Sequence, residues 1–109
     1  MKRKIINTLF AVAAGIMPVL LAGGVYAAQP AGEALFKQHC AVCHLDGGNL
    51  IAPQKTLHKK DRETNGIKTA EAIIKTMRKP GPGMTQFTEK TIPAKDAKAI
   101  AEYILTTFK

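Results

Sequence analysis

An all-α domain is what this sequence predicts, and three observations predict it. No stretch alternates apolar and polar residues as a half-buried strand would. Three stretches, near residues 31–40, 69–79 and 93–108, instead repeat apolar residues every three to four positions. The first of them runs into Cys40-Ala41-Val42-Cys43-His44. That pentapeptide has the Cys-x-x-Cys-His spacing of a c-type haem attachment site. The predicted fold is therefore about three to four helices and loops wrapped around one covalent haem.

The N-terminus reads as an export signal. Met1-Lys2-Arg3-Lys4 is a basic lead, Ile5 to Ala22 is mostly apolar, and Val25-Tyr26-Ala27 is a small-x-small cleavage site. Residues 1–27 are thus expected to be a secretory signal peptide and residues 28–109 one mature domain. No Cys follows the apolar stretch, so a lipid anchor is not indicated. An uncleaved anchor is the alternative, but the stretch is short for spanning a bilayer. No stable membrane insertion is expected once the signal is removed. A simple signal of this kind suits a bacterial periplasm or an equivalent extracytoplasmic lumen, the side of the membrane on which haem is joined to such motifs.

Three of the 16 basic residues lie in the signal, leaving 13 against 8 acidic ones in the mature 82 residues. The lysines are scattered, and Tyr103 is the only mature tyrosine, so nucleic-acid binding has little support. A mildly basic surface suits docking to acidic redox protein partners by a monomer. Eighty-two residues are few for an unaided hydrophobic core. A large apolar cofactor at the centre would relieve that, and the haem-free chain is expected to fold poorly.

In the first helical stretch, Leu35, Phe36, His39 and Cys40 form the apolar stripe. Glu33 and Lys37 are four apart in the favourable order. Gly32 precedes Phe36 by four and would let another helix cross closely. Within the motif, residues three and four apart share one side of a turn. Cys40 and Cys43 can each form a thioether with one haem vinyl group, and His44 can place an imidazole nitrogen on the iron. A dithiol redox pair would want a βαβ context, which is missing. A zinc site would want four ligands, and His39 and His58 are not at zinc-finger spacing.

Leu45 to Asn49 is a turn cluster, and Leu50 to Leu57 has no period, as an ordered loop along a haem face would read. The neighbourhood of Pro53 offers carbonyls to the far nitrogen of His44. His58 to Glu63 is charged, a short helix or exposed turn closed by Asn65-Gly66. Thr69 reads as the N-cap of the next helix, with Glu71 in its first turn. Ala70, Ile73, Ile74 and Met77 form its buried stripe, and Pro80 stops it.

Pro80-Gly81-Pro82-Gly83-Met84-Thr85-Gln86-Phe87 is an extended loop that presents Met84 with small or short neighbours. Met84 suits the sixth iron position, where a soft thioether raises the potential. Met77 lies on a helical stripe and reads as core. His58 is the nitrogen competitor but sits in a hydrophilic segment. The last helix starts near Thr91–Pro93 and runs to about Phe108, with Ala97, Ile100, Tyr103 and Ile104 on one face. That face can cross the Gly32–Phe36 face of the first helix.

Together these residues resemble a class I monohaem cytochrome c, and within that class they are most similar to cytochrome c6, a small soluble carrier of cyanobacteria and algae. Gly32 and Phe36, the Cys40–His44 motif, Met84 in a Pro/Gly loop and the Tyr103 face carry the general likeness. Gly47-Gly48-Asn49-Leu50-Ile51, Lys55-Thr56-Leu57 and Asn65-Gly66 carry the narrower one. The likeness spans nearly all of the mature domain. Two features depart from it: Thr85 stands where the family commonly has Pro after the Met, and the loop before Met84 is richer in Pro. The resemblance implies the class I cytochrome c fold and a soluble electron carrier with one haem c, held by Cys40, Cys43, His44 and Met84. With both axial positions taken, no catalytic residue is expected. The alternatives are a haem sensor or peroxidase-like protein with a labile sixth ligand, or a haem-free dithiol or metal module. Lysines near an exposed haem edge, Lys55 or Lys79, are candidates for a weak, salt-sensitive interface.

Overall fold

A computed structural model describes Gly15 and residues 31–109. The export signal and its cleavage site lie outside the described residues. Helix α1 covers Ala31–His39. On its outer face Lys37 and Glu33 form a 2.7 Å ion pair, while Gly32 and Phe36 face inward. The chain kinks at Cys40, whose N–H still donates to the Phe36 carbonyl at 2.8 Å. Helix α2, Ala41–His44, continues as one further turn, and a 3-10 turn over Leu45–Gly47 redirects the chain. Helices α3 (Lys59–Thr64), α4 (Ala70–Arg78) and α5 (Ala94–Thr107) follow. The described residues contain no strand. Among the described residues, five α-helical segments and one 3-10 turn stand where about three to four helices are expected, because α2 is a separate short turn after α1.

Local sequence accounts for the ends of α4. The Thr69 hydroxyl accepts from the Ala72 N–H at 3.1 Å, satisfying one free donor of the first turn. Glu71 sits in that turn, where the helix dipole favours it. At the other end Pro80 supplies no N–H, and the helix stops at Arg78. Pro93 caps α5 from outside rather than occupying its first turn.

Helices α1 and α5 cross at Gly32. A Cβ on Gly32 would lie 2.1 Å from the Ala99 carbonyl oxygen and 2.9 Å from the Tyr103 Cβ, so only glycine permits this approach. Beside the crossing, the Phe36 ring packs at 5.3 Å from Tyr103 and 5.4 Å from Phe108. Both rings lie at the centroid separations that aromatic pairs prefer, tilted by 49°. The core comprises Phe36, Ile73, Met77, Ile92, Ala97, Ile100, Ala101, Ile104 and Phe108. Met77 is core, as its stripe predicts. Ile92 is fully buried although it belongs to no periodic stretch.

The charged stretch around α3 is not wholly at the surface. His58, Lys59 and Lys60 are exposed, but Arg62 is buried at 4% exposure. Its Nε donates to the Leu57 carbonyl at 2.7 Å and its Nη2 to the Phe108 carbonyl at 3.4 Å. The second partner is 46 residues away, which no local pattern encodes.

Candidate haem site

The two thiols, the imidazole and the thioether that the sequence singles out all line one cavity of about 380 Å³. Cys40, Cys43 and His44 come from the α1–α2 side, and Met84 comes from the loop after α4. Ile73, Met77, Phe87 and Ile104 give the cavity apolar walls. His39 also lines it, with its ring 6.1 Å from Phe87. His58 does not line it; its ring packs edge-on to Phe108 at 5.7 Å.

Local hydrogen bonds hold the imidazole and the loop that carries Met84. His44 Nδ1 lies 2.7 Å from the Gly48 carbonyl oxygen. A carbonyl can only accept, so Nδ1 carries the proton and the Nε2 lone pair is left available. The partner is Gly48, four residues on, and not a carbonyl near Pro53. The tight turn after α2 brings it there, with Asp46 at φ 53°. Asn49 orders the following loop: its side-chain oxygen accepts from Ile51 and Ala52 N–H, and its amide donates to the Lys55 carbonyl. Such bonds are the usual means by which Asn fixes turns.

The Met84 loop is tied back to the end of α4. Phe87 N–H donates to the Met77 carbonyl at 2.9 Å, Arg78 Nη1 to the Phe87 carbonyl at 3.1 Å, and Gln86 Nε2 to the Arg78 carbonyl at 2.9 Å. Gly83 takes φ +87°, which an L side chain rarely adopts, and this turn precedes Met84. Met84 itself is half-buried. Burial pushes the Cys40 thiol up to about 11, so it stays protonated and neutral at ordinary pH. A thioether bond would remove that ionisable group from the cavity wall.

The rim carries exposed apolar side chains. Val42 is 82% exposed and Ile51 60%, and both line the cavity mouth; Leu45 and Leu50 are exposed beside them in sequence. Lys55 is exposed at the same mouth, whereas Lys79 is exposed but does not line the cavity. Among the described residues no helix is long and apolar enough to cross a membrane.

Two thiols at Cys-x-x-Cys spacing, an imidazole with a free nitrogen and a thioether, gathered in an apolar cavity of an all-helical fold, form the donor set of a class I c-type cytochrome. The donors fit an iron porphyrin. The family model described as "Cytochrome C oxidase, cbb3-type, subunit III" matches residues 27–104. Cytochrome c6 of Rippkaea orientalis is 38% identical over 90 residues, which are 83% of this chain and 77% of that protein. Among solved structures, the outer-membrane cytochrome F (OmcF) of Geobacter sulfurreducens is 47% identical with a TM-score of 0.70. The match covers 72% of this chain and 99% of that one. Cytochrome c6C from Synechococcus is 29% identical with a TM-score of 0.67, over 72% of this chain and 94% of that one. The chain belongs to this family of c-type cytochrome domains and is a class I monohaem cytochrome similar to cytochrome c6. As such it is an electron carrier with one covalent haem c.

Proposed function

We propose that the protein passes single electrons between larger redox proteins through a haem c bonded to Cys40 and Cys43 and ligated by His44 and Met84. When bound, the iron supplies a one-electron ferric/ferrous couple. The observation that carries the assignment is the convergence of all four side chains on one apolar cavity. The Gly48 carbonyl orients His44 and strengthens it as a donor. The bonds tying residues 86–87 to α4 support the Met84 loop, so that the thioether would be held in place for a bound iron. With His44 and Met84 both holding the iron, no position would be left for a substrate, and we read no catalytic role.

The exposed apolar rim, with Lys55 beside it, supports docking of an acidic redox partner at the cavity mouth in a small, transient interface. The basic, apolar N-terminus supports export of a monomeric mature domain, residues 28–109, to the periplasm or an equivalent lumen.

Substitution of Met84 tests the assignment. Met84→Ala should lower the reduction potential strongly and let carbon monoxide bind the ferrous iron and cyanide the ferric iron. A variant with the parent's potential and spectrum would show that Met84 is not a ligand. Ready ligand binding by the unmodified protein would favour the sensor or peroxidase-like reading.

A further inference from the structure

We infer that Arg62 is the counter-charge for a carboxylate of the bound haem and that it thereby holds the reduction potential up. The inference rests on the haem reading above. Arg62 is buried, and its Nε and Nη2 donate only to main-chain carbonyls, those of Leu57 and Phe108. No carboxylate pairs with it: the ion pairs among the described residues are Lys37–Glu33 and Lys59–Glu63. The adjacent Asp61 accepts from the Thr56 hydroxyl at 2.6 Å instead. Two carbonyl dipoles do not neutralise a guanidinium, and an unpaired buried charge is strongly unfavourable.

The unused donors point to where the missing anion belongs. Nη1 makes no hydrogen bond among the described residues, yet no buried side-chain nitrogen or oxygen there lacks a partner. Nη1 is therefore not sealed in protein, and the space that Arg62 lines is the haem cavity. Lys55 and Arg62 are the Lys and Arg of that lining, and Asn49, Thr56 and Asn65 line it from the same stretch of chain; His39, Thr76 and Thr85 line it elsewhere, and Ile73, Met77 and Ile104 are apolar. A cavity whose Lys and Arg both come from residues 55–62 and whose other walls include Ile73, Met77 and Ile104 suits an amphipathic occupant with its anionic end toward Arg62. A haem is such a group, apolar over its faces with two carboxylates on one side. Guanidinium is the side chain best shaped to grip a carboxylate through paired N–H donors. Its positive charge also disfavours the ferric state, which carries one more positive charge than the ferrous.

The test uses the mature holoprotein with Arg62→Met and Arg62→Lys. Arg62→Met should lower the midpoint so that, at the wild-type midpoint, the oxidised-to-reduced ratio rises about tenfold, which is about 59 mV for a one-electron couple. Arg62→Lys keeps the charge and should retain most of the potential. An Arg62→Met protein that is less stable but has the wild-type potential would overturn the inference, leaving Arg62 as a clamp on two carbonyls. An equal drop in both variants would overturn the role of charge. If Arg62→Met does not accumulate, proton NMR of the ferrous wild type decides. An Overhauser contact between an Arg62 N–H and a haem propionate methylene supports the inference, and its absence from a fully assigned spectrum overturns it. Wild-type protein without c-type haem bands would instead remove the haem reading itself.

Discussion

At Gly83 the backbone takes φ +87°, and a Cβ there would meet the Ile51 Cγ2 at 3.1 Å. An L side chain in that region costs about 1–2 kcal/mol from backbone strain. The next residue is Met84, so strain at Gly83 acts on the thioether. Gly83→Ala should weaken the Met84 bond, lower the potential and reduce the far-red ferric band that iron–sulfur ligation gives. A variant with the parent's potential and band would show that the loop does not need this turn. The Pro/Gly content of residues 80–83 makes such a loop legible, and the four candidate donors follow from the motif and the loop alone. Arg62 and Gly48 were not legible. Arg62 sits among exposed Lys, Glu and Thr, and its burial depends on a carbonyl at Phe108, close to the far end of the chain. The Gly48 carbonyl reaches His44 only because Asp46 turns with positive φ, a conformation that Asp tolerates but does not announce.

Among the elements, the crossing of α1 and α5 decides the shape of the cavity-bearing fold. Gly32 meets the Ala99 backbone, and Phe36 stacks against Tyr103 and Phe108 on the same side. Gly32→Ala cannot be absorbed by a side-chain rotation, because the clash is with a carbonyl. Moving one helix off the other should cost about 1–3 kcal/mol, read as a lower denaturant midpoint of the holoprotein. Unchanged stability would mean that the helices do not cross this closely. Helices α1, α4 and α5 are legible from their 3.6-residue stripes, the Thr69 cap and the Pro80 stop, whereas the charged stretch that forms α3 fits a short helix and an exposed turn equally. The separate α2 turn and the burial of Ile92 are not legible. A stripe reports which face is apolar, whereas Ile92 is enclosed by the elements around a loop position.

On the scale of the whole molecule, nine buried apolar residues form the core among the described residues, and the cavity wall shares Ile73, Met77 and Ile104 with it. A haem in that cavity would extend the core of a domain too small to be very stable alone. The mouth remains edged by Val42, Ile51 and Lys55, so one side of the cofactor would stay within reach of a partner. Electron transfer to an acidic redox protein should slow as ionic strength rises from about 0.01 M to about 0.1 M, over which the screening length shrinks from about 30 Å to about 10 Å. A rate independent of salt, measured by stopped flow, would contradict electrostatic docking. The central claim is axial ligation by His44 and Met84, and the visible spectrum of the purified protein in both oxidation states tests it most directly. Sharp reduced c-type bands with the far-red ferric band, both lost or altered in the matching His44 and Met84 variants, are the predicted result. Haem bands without the far-red feature would contradict Met84 ligation, and absence of haem from a host able to mature c-type cytochromes would contradict the site altogether.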